Sequence, residues 1–412
     1  MTTTDGMASE ICRRVDELAG ISEEQGRLTR IFLTDQQRQA SDLVLGWMRQ
    51  AGMAARVDAI GNVVGRYEGG RSGLPALFLG SHLDTVRDAG KYDGPLGVVA
   101  AIACVDALNR QDIRLPFAIE IVGFCDEEGV RFGATMLGSH AVAGTFDPDW
   151  LTKADDDAVT VRRALVAYGL DPDAVGTAAR QRDEVLAYAE LHIEQGPVLE
   201  AKGLPVGCVT SISGATRYKI ELTGMAGHAG TVPMGGRRDA LAAAAECVLA
   251  VEVLCSGEDG LVGTVGRIEA LPGAVNVIPG RARFTIDIRA PVDAQREQAV
   301  AAVLKRFSEI AAARGIGIAT EKLYEMPAAP CAPWLMDQID SAIAEVGVAP
   351  FRLPSGAGHD GMAMKAIADI AMIFVRCERG ISHNPAEAIT LADAETGARV
   401  LLNFIRNFKV PA

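Results

Sequence analysis

The first part of the chain alternates between apolar runs and stretches with helical spacing. Over residues 35–53, Leu43, Val44, Trp47 and Met48 fall on one helical face, and the segment closes on Gly52, which predicts a helix. The pattern turns to strand around Val57, Val63 and Val64, with a turn at Gly61-Asn62. Apolar strands follow at 76–79 and 117–124, separated by a buried Gly/Ala-rich helix over 94–108. Strands alternating with helices imply a mixed or parallel sheet covered on both faces. Residues 147–184 are charged and helical in flavour, and carry no recognisable chemistry.

The character changes after residue 212. Alternating segments at 217–222, 261–268 and 282–288 are interleaved with long Ala-rich helices at 237–253 and 293–313. That β-α-β-β-α-β order predicts a compact ferredoxin-like insert. From Pro333 the first pattern returns, with a helix to about Val346, a strand at 370–375 and a final helix at 391–408. At 412 residues the chain is too long for one ordinary core. The expected layout is therefore an α/β mixed-sheet domain over 1–212 and 328–412, with an inserted α+β domain over 213–327.

Composition narrows the function classes. With 40 basic against 53 acidic residues the net charge is −13, which argues against nucleic acid as a partner. No run of 18 apolar residues is present, so no membrane span is expected. Residues 1–10 are polar, without the basic and apolar regions of a signal peptide. The eight cysteines are scattered with no C-x-x-C pair, as for reduced thiols in a cytoplasmic protein.

The candidate chemistry lies at element ends. His82 and Asp84 close the 76–79 strand, where open α/β sheets place ligands. At i and i+2 on an extended segment they point to the same side. Asp93 sits in a Gly/Pro turn ahead of a helix, a position that also suits a simple capping aspartate. Asp126-Glu127-Glu128 ends the 117–124 strand; such carboxylates either form a solvated loop or repel one another unless cations are present. With His192 and His383, these residues supply imidazole nitrogens and carboxylate oxygens without thiolate, the inventory for a pair of borderline divalent cations. Of the adjacent Glu127 and Glu128, one can bind metal while the other handles a proton.

Several blocks are more specific: Gly80-Ser81-His82-Leu83-Asp84-Thr85-Val86, Tyr92-Asp93-Gly94-Pro95-Leu96-Gly97, His192-Ile193-Glu194-Gln195-Gly196-Pro197, Gly227-His228-Ala229-Gly230, Gly356-Ala357-Gly358-His359-Asp360 and Ser382-His383-Asn384-Pro385. On these the chain resembles the dinuclear metallopeptidase/amidase superfamily that includes carboxypeptidase G and aminoacylase. Within it the chain looks like the hydantoinase/carbamoylase branch, which holds N-carbamoyl-L-amino acid hydrolases, allantoate amidohydrolases, ureidoglycolate hydrolases and β-ureidopropionases. The His192 block is the most specific, because exopeptidase relatives usually carry a carboxylate ligand there.

The resemblance implies two divalent ions per subunit (Zn, Mn, Co or Ni), with His82 and His192 on one and Glu128 and His383 on the other. Asp93 would bridge them, and Asp84 would orient His82. Glu127 would act as general base and then as acid. His228, in the insert, would stabilise the oxyanion in the partner subunit's site, which implies a homodimer through the inserted domain. Gln195, Arg217, Asn276, Arg289 and His359 match positions that hold the ureido group and the substrate carboxylate. The activity implied is cleavage of the N-carbamoyl C–N bond of a small carboxylic acid, releasing ammonia and carbon dioxide. An exopeptidase or aminoacylase is the alternative enzyme. A non-catalytic binding protein on the same scaffold would have lost a ligand or the base, and neither is lost. The sequence departs from many relatives at Ala215, near Arg217, and His140 replaces a frequent basic residue without being read as a ligand.

Overall fold

The structure is a computed structural model and describes residues 6–411. The chain divides into two compact units. The first takes the chain through Thr210, Cys331–Leu353 and the residues from His359 onward, and the second takes Ser211–Pro330 and Pro354–Gly358.

Strands Ala76–His82 and Ala118–Phe124 are buried along their whole length, the pattern of strands covered on both faces. Ala76–His82 pairs in parallel with Ala118–Phe124 and with Val185–Ile193, which pairs in parallel with Ile370–Val375. Antiparallel strands extend the sheet on both sides. Val63–Tyr67 pairs with Ala118–Phe124, Ala54–Val57 with Val63–Tyr67, and Val206–Ile212 with Ile370–Val375. The sheet is therefore mixed, and its parallel strands direct their C-terminal ends to one edge. The register places His82 opposite Phe124 and Phe374 opposite His192, so the predicted site residues share that edge.

Helix Pro95–Arg110 packs on strands Ala76–His82 and Val185–Ile193 and is covered by helices Met7–Ala19 and Leu391–Asn407. Its first turn needs glycine. Gly94 has φ +83°, and a Cβ there would stand 2.5 Å from the His82 ring. A Cβ on Gly97 would stand 2.2 Å from the Leu191 carbonyl oxygen. The turn bearing Asp93 can thus lie directly against both histidine strands.

In the second unit, Gly214–Thr223, Ala240–Cys255, Val262–Leu271, Arg281–Ala290, Asp293–Ala313 and Gly317–Met326 follow the expected β-α-β-β-α-β order. The strand order is Gly317–Met326, Gly214–Thr223, Arg281–Ala290, Val262–Leu271, all antiparallel. Both helices pack on one sheet face, over a core that includes Ile220, Leu222, Phe284, Ile286 and Phe307. Alternation sends Arg217, Lys219, Arg283, Asp287 and Arg289 to the other face.

Three features differ from the sequence expectation. Pro354–Gly358 belongs to the second unit, where Ser213 donates to the Ser355 carbonyl at 2.9 Å and Arg289 to the Gly356 carbonyl at 3.0 Å. Helix Met7–Ala19, to which the sequence pattern assigned no element, buries Ile11, Val15 and Leu18 at i, i+4 and i+7. Residues 147–184 form one short α-helix, Val161–Ala167, among 3₁₀ turns. Asp147-Pro148 and Asp171-Pro172 each cap and restart a turn, which prevents one long helix. Among the described residues no helix is long and apolar enough to cross a membrane.

Candidate metal centre

His82 ends its strand with Nδ1 2.9 Å from the Asp84 carbonyl oxygen. A carbonyl only accepts, so Nδ1 carries the proton and Nε2 is left to face Asp93 Oδ1 at 3.5 Å. His192 repeats the arrangement, with Nδ1 2.9 Å from the Ile193 carbonyl and Nε2 3.2 Å from Asp93 Oδ1. The other Asp93 oxygen lies 3.1 Å from His383 Nε2, which is 3.3 Å from Glu128 Oε1. Asp93 therefore stands between two ligand sets, His82/Asp93/His192 and Asp93/Glu128/His383, and within each set the ligand atoms lie within 4.8 Å of one another. Glu127 stands beside them, grouped with His82 and Glu128.

The electrostatics fit bound divalent metal. Asp93 Oδ1 and His192 Nε2 are buried without a hydrogen bond, which is costly unless a charged partner takes them up. Burial works against a charged His82, but Asp93, Glu127 and Asp84 outweigh it and hold its pKa well above the ordinary value. Hydrogen bonds that His383 donates to the Asp93 and Glu128 carboxylates raise its pKa to about 10. Around them burial raises the carboxyls of Asp84, Asp126, Glu127, Glu190 and Asp360. Buried carboxyls and histidines packed this closely are matched by divalent positive charge, and the hard-to-borderline N/O donor set suits it.

A second layer fixes the ligands. Asp84 holds the His82 ring by a hydrogen bond to its backbone carbonyl, while its carboxylate, 3.9 Å from His82 Nδ1, acts on the ring through charge. The carboxylate Oδ1 and Oδ2 accept the backbone N–H groups of Glu127 and Glu128, each at 3.2 Å. Gln195, at φ +57°, donates its amide to Asp93 Oδ2 at 3.0 Å and to Ser382 Oγ at 3.2 Å; its own Oε1 makes no hydrogen bond. Glu387, with no role in the sequence reading, accepts from the Tyr92 and Asp93 N–H groups at 2.8 and 3.1 Å and from Ser382 Oγ at 2.7 Å. Arg30 was also missed. It is fully buried and donates to the Leu83 and Leu18 carbonyls at 2.9 and 2.8 Å, pinning the loop that carries Asp84. Neither residue has a spacing signal, because each serves backbone groups distant in sequence. His359 is buried 4.5 Å from the His192 ring, in a further group with Glu190, and burial holds it neutral by pushing its pKa well down.

The other four candidates lie in the second unit. His228 lies within a short antiparallel pairing of Gly227–His228 with Val277–Ile278, opposite Val277, and Asn276 immediately precedes Val277. His228 is exposed, and its Nδ1 accepts the Gly230 N–H at 3.0 Å, so the ring's donor is Nε2. Arg217 and Arg289 sit together on the open sheet face, both bonded to Asp287.

A mixed α/β sheet with two groups of metal-capable side chains meeting at Asp93 on its C-terminal edge fits the class of metal-dependent hydrolases. Residues 78–407 match peptidase family M20/M25/M40, and the chain belongs to that family. It is 42% identical over 394 residues to an N-carbamoyl-L-amino acid amidohydrolase of Geobacillus stearothermophilus, covering 95% of this chain and 96% of that one. It is 38% identical over 432 residues to allantoate deiminase 1 of Glycine max, covering 97% and 89%. A solved hydantoinase/carbamoylase family amidase from Burkholderia multivorans superposes with a TM-score of 0.90 at 34% identity, covering 97% of each chain. The chain is a hydrolase acting on amide C–N bonds.

Proposed function

We propose that the chain hydrolyses the ureido C–N bond of an N-carbamoyl amino acid or allantoate-type acid. With an N-carbamoyl amino acid, water adds at the carbamoyl carbon, the C–N bond to the amino-acid nitrogen breaks, and the carbamic acid released beside the amino acid falls apart to ammonia and carbon dioxide. His82, Asp93 and His192 would hold one divalent ion and Asp93, Glu128 and His383 a second. Such ions supply Lewis acidity and lower the pKa of nearby water. Glu127 removes the proton from the attacking water and returns it to the departing nitrogen; burial raises its pKa. His228 Nε2–H would donate to the developing oxyanion. Gln195 Oε1 is free to accept a ureido N–H, and Arg289 suits the carboxylate.

The observation that carries the reading is a histidine, His192, grouped with His82 and Asp93, in a chain 42% and 39% identical to N-carbamoyl-L-amino acid amidohydrolases. Ammonia release from N-carbamoyl-α-amino acids, N-carbamoyl-β-alanine, allantoate and ureidoglycolate, measured against dipeptide cleavage with Zn, Mn, Co or Ni, tests it. Dipeptide cleavage without ammonia release would establish the exopeptidase alternative.

The homodimer belongs to the same proposal. Helix Ala240–Cys255 exposes Leu249 and Val253 at 60% and 74%, and the edge strand Val262–Leu271 exposes Val262 and Ile268. An apolar helix face beside an unpaired strand edge suits a second copy related by a two-fold axis. A cytoplasmic location is proposed on the eight free cysteines.

A further inference from the structure

Asp287 and Arg289 are two apart on strand Arg281–Ala290 and share its open face, while Arg217 stands directly opposite Asp287 on the neighbouring strand. Around them lies an open cavity of about 510 Å³, whose lining includes Thr264, Thr285 and Leu323. The hydrogen bonds are directional. Arg289 donates from Nε to Asp287 Oδ1 at 3.1 Å, from Nη2 to Asp287 Oδ2 at 3.0 Å, and from Nη1 to the Gly356 carbonyl at 3.0 Å. A guanidinium has five N–H groups, so these three bonds leave one on each terminal nitrogen. A carboxylate accepts such a pair bidentately. Arg217 donates from Nε to the same Asp287 Oδ2 at 2.9 Å and stacks 4.8 Å from the Tyr324 ring. Two guanidinium charges against one carboxylate leave a single net positive charge at the cavity, matched to one acid group.

We propose that Asp287 is the positioning residue that aims the remaining N–H pair of Arg289 at the substrate carboxylate, and that Arg217 acts by bracing Asp287 and not by binding substrate. This rests on the ureido-acid reading and adds the device that sets the acid grip. Without Asp287 the Arg289 side chain keeps its charge and loses two of its three fixing bonds, so the loss falls on orientation. The resemblance counts Arg217 and Arg289 both among the substrate contacts, with Arg289 the better candidate for the carboxylate; the shared Asp287 gives them different tasks.

The test compares the full-length holoenzyme with Asp287→Asn, Asp287→Glu, Arg217→Gln and the Asp287→Asn/Arg217→Gln double variant. Each is given an N-carbamoyl amino acid and its uncharged carboxamide. Asp287→Asn should raise KM for the acid about tenfold with kcat within about threefold, and shift KM for the carboxamide less than about twofold. Asp287→Glu should recover part of the loss. The double variant should be no worse than Asp287→Asn, because Arg217 acts through it. An unchanged or lowered KM for the acid, or equal losses on acid and carboxamide, overturns the proposal. Additive losses in the double variant overturn the bracing role of Arg217. Calorimetric binding of both compounds separates this from the function itself. If the wild type binds the acid but releases no ammonia, the ureido reading fails while the acid-versus-carboxamide affinities still decide the role of Asp287. If it binds neither, the positioning proposal fails.

Discussion

Asp84 Oδ1 accepts the backbone N–H of Glu127 at 3.2 Å, although 43 residues separate the two. With Oδ2 on the Glu128 N–H, one buried carboxylate holds the backbone of both the candidate base and a candidate ligand, while its own carbonyl orients His82. Asp84→Asn keeps the side chain's shape and exchanges one acceptor for a donor that faces an N–H. Metal affinity should fall about 10–100-fold, as for other changes one layer behind a ligand. Titration of chelator-stripped protein with zinc or manganese checks this, and an affinity within about threefold of wild type would remove Asp84 from the supporting layer.

Glu127→Gln should abolish turnover while leaving metal content near two ions per subunit, and His228→Ala should also be inactive. If His228 serves the partner's site, co-expressing the two variants restores activity. A mixed dimer then contains one site with an intact Glu127 and a His228 donated from the other chain. Up to roughly a quarter of wild-type activity is expected in a random mixture. No recovery in a mixture shown to contain mixed dimers would place His228 in its own subunit's site.

Arg30 is a stability determinant far from any charged surface. Burial lowers its pKa to about 10, against the opposing pull of Asp84 and Glu23. Arg30→Met removes the donor for the Leu83 and Leu18 carbonyls and should destabilise the first unit by about 3 kcal/mol. The urea midpoint measures it; a loss below about 1 kcal/mol would show that water or neighbouring groups replace those bonds.

Glu10 gives a stability term with a defined pH window. Hydrogen bonding to Arg13, against a smaller opposing effect of burial and with help from Arg14, lowers its pKa from 4.5 to about 2. A depressed folded-state pKa means the contribution is complete above pH 4.5 and fades as pH falls toward about 2. Because the side chain is 37% exposed, solvent screening limits the contribution to roughly 0.5 kcal/mol. The stability gap between wild type and Glu10→Gln should be present at neutral pH and narrow below pH 4.5. A gap constant across that window would assign it to packing of helix Met7–Ala19.

The periodicity of the chain determined the strand–helix alternation, the β-α-β-β-α-β insert and the apolar strands that end at His82 and Phe124, because local hydrophobic patterns must match the spacing of the element they bury. Its motif blocks also carried the candidate ligands His82, Asp93, Glu128, His192 and His383. Only the tertiary structure decided what holds those residues. Strand register sets Phe374 opposite His192, Gly94 lets the Asp93 turn close on the His82 ring, and Arg30, Asp84 and Glu387 fasten backbone groups remote from them in sequence. The same holds for Asp287, which reads as an ordinary strand-face aspartate until Arg217 and Arg289 meet on it. Hydrogen-bond partners between distant segments leave no period in a sequence. They follow from which strands pair and in what register, and those are set by burial of the whole sheet.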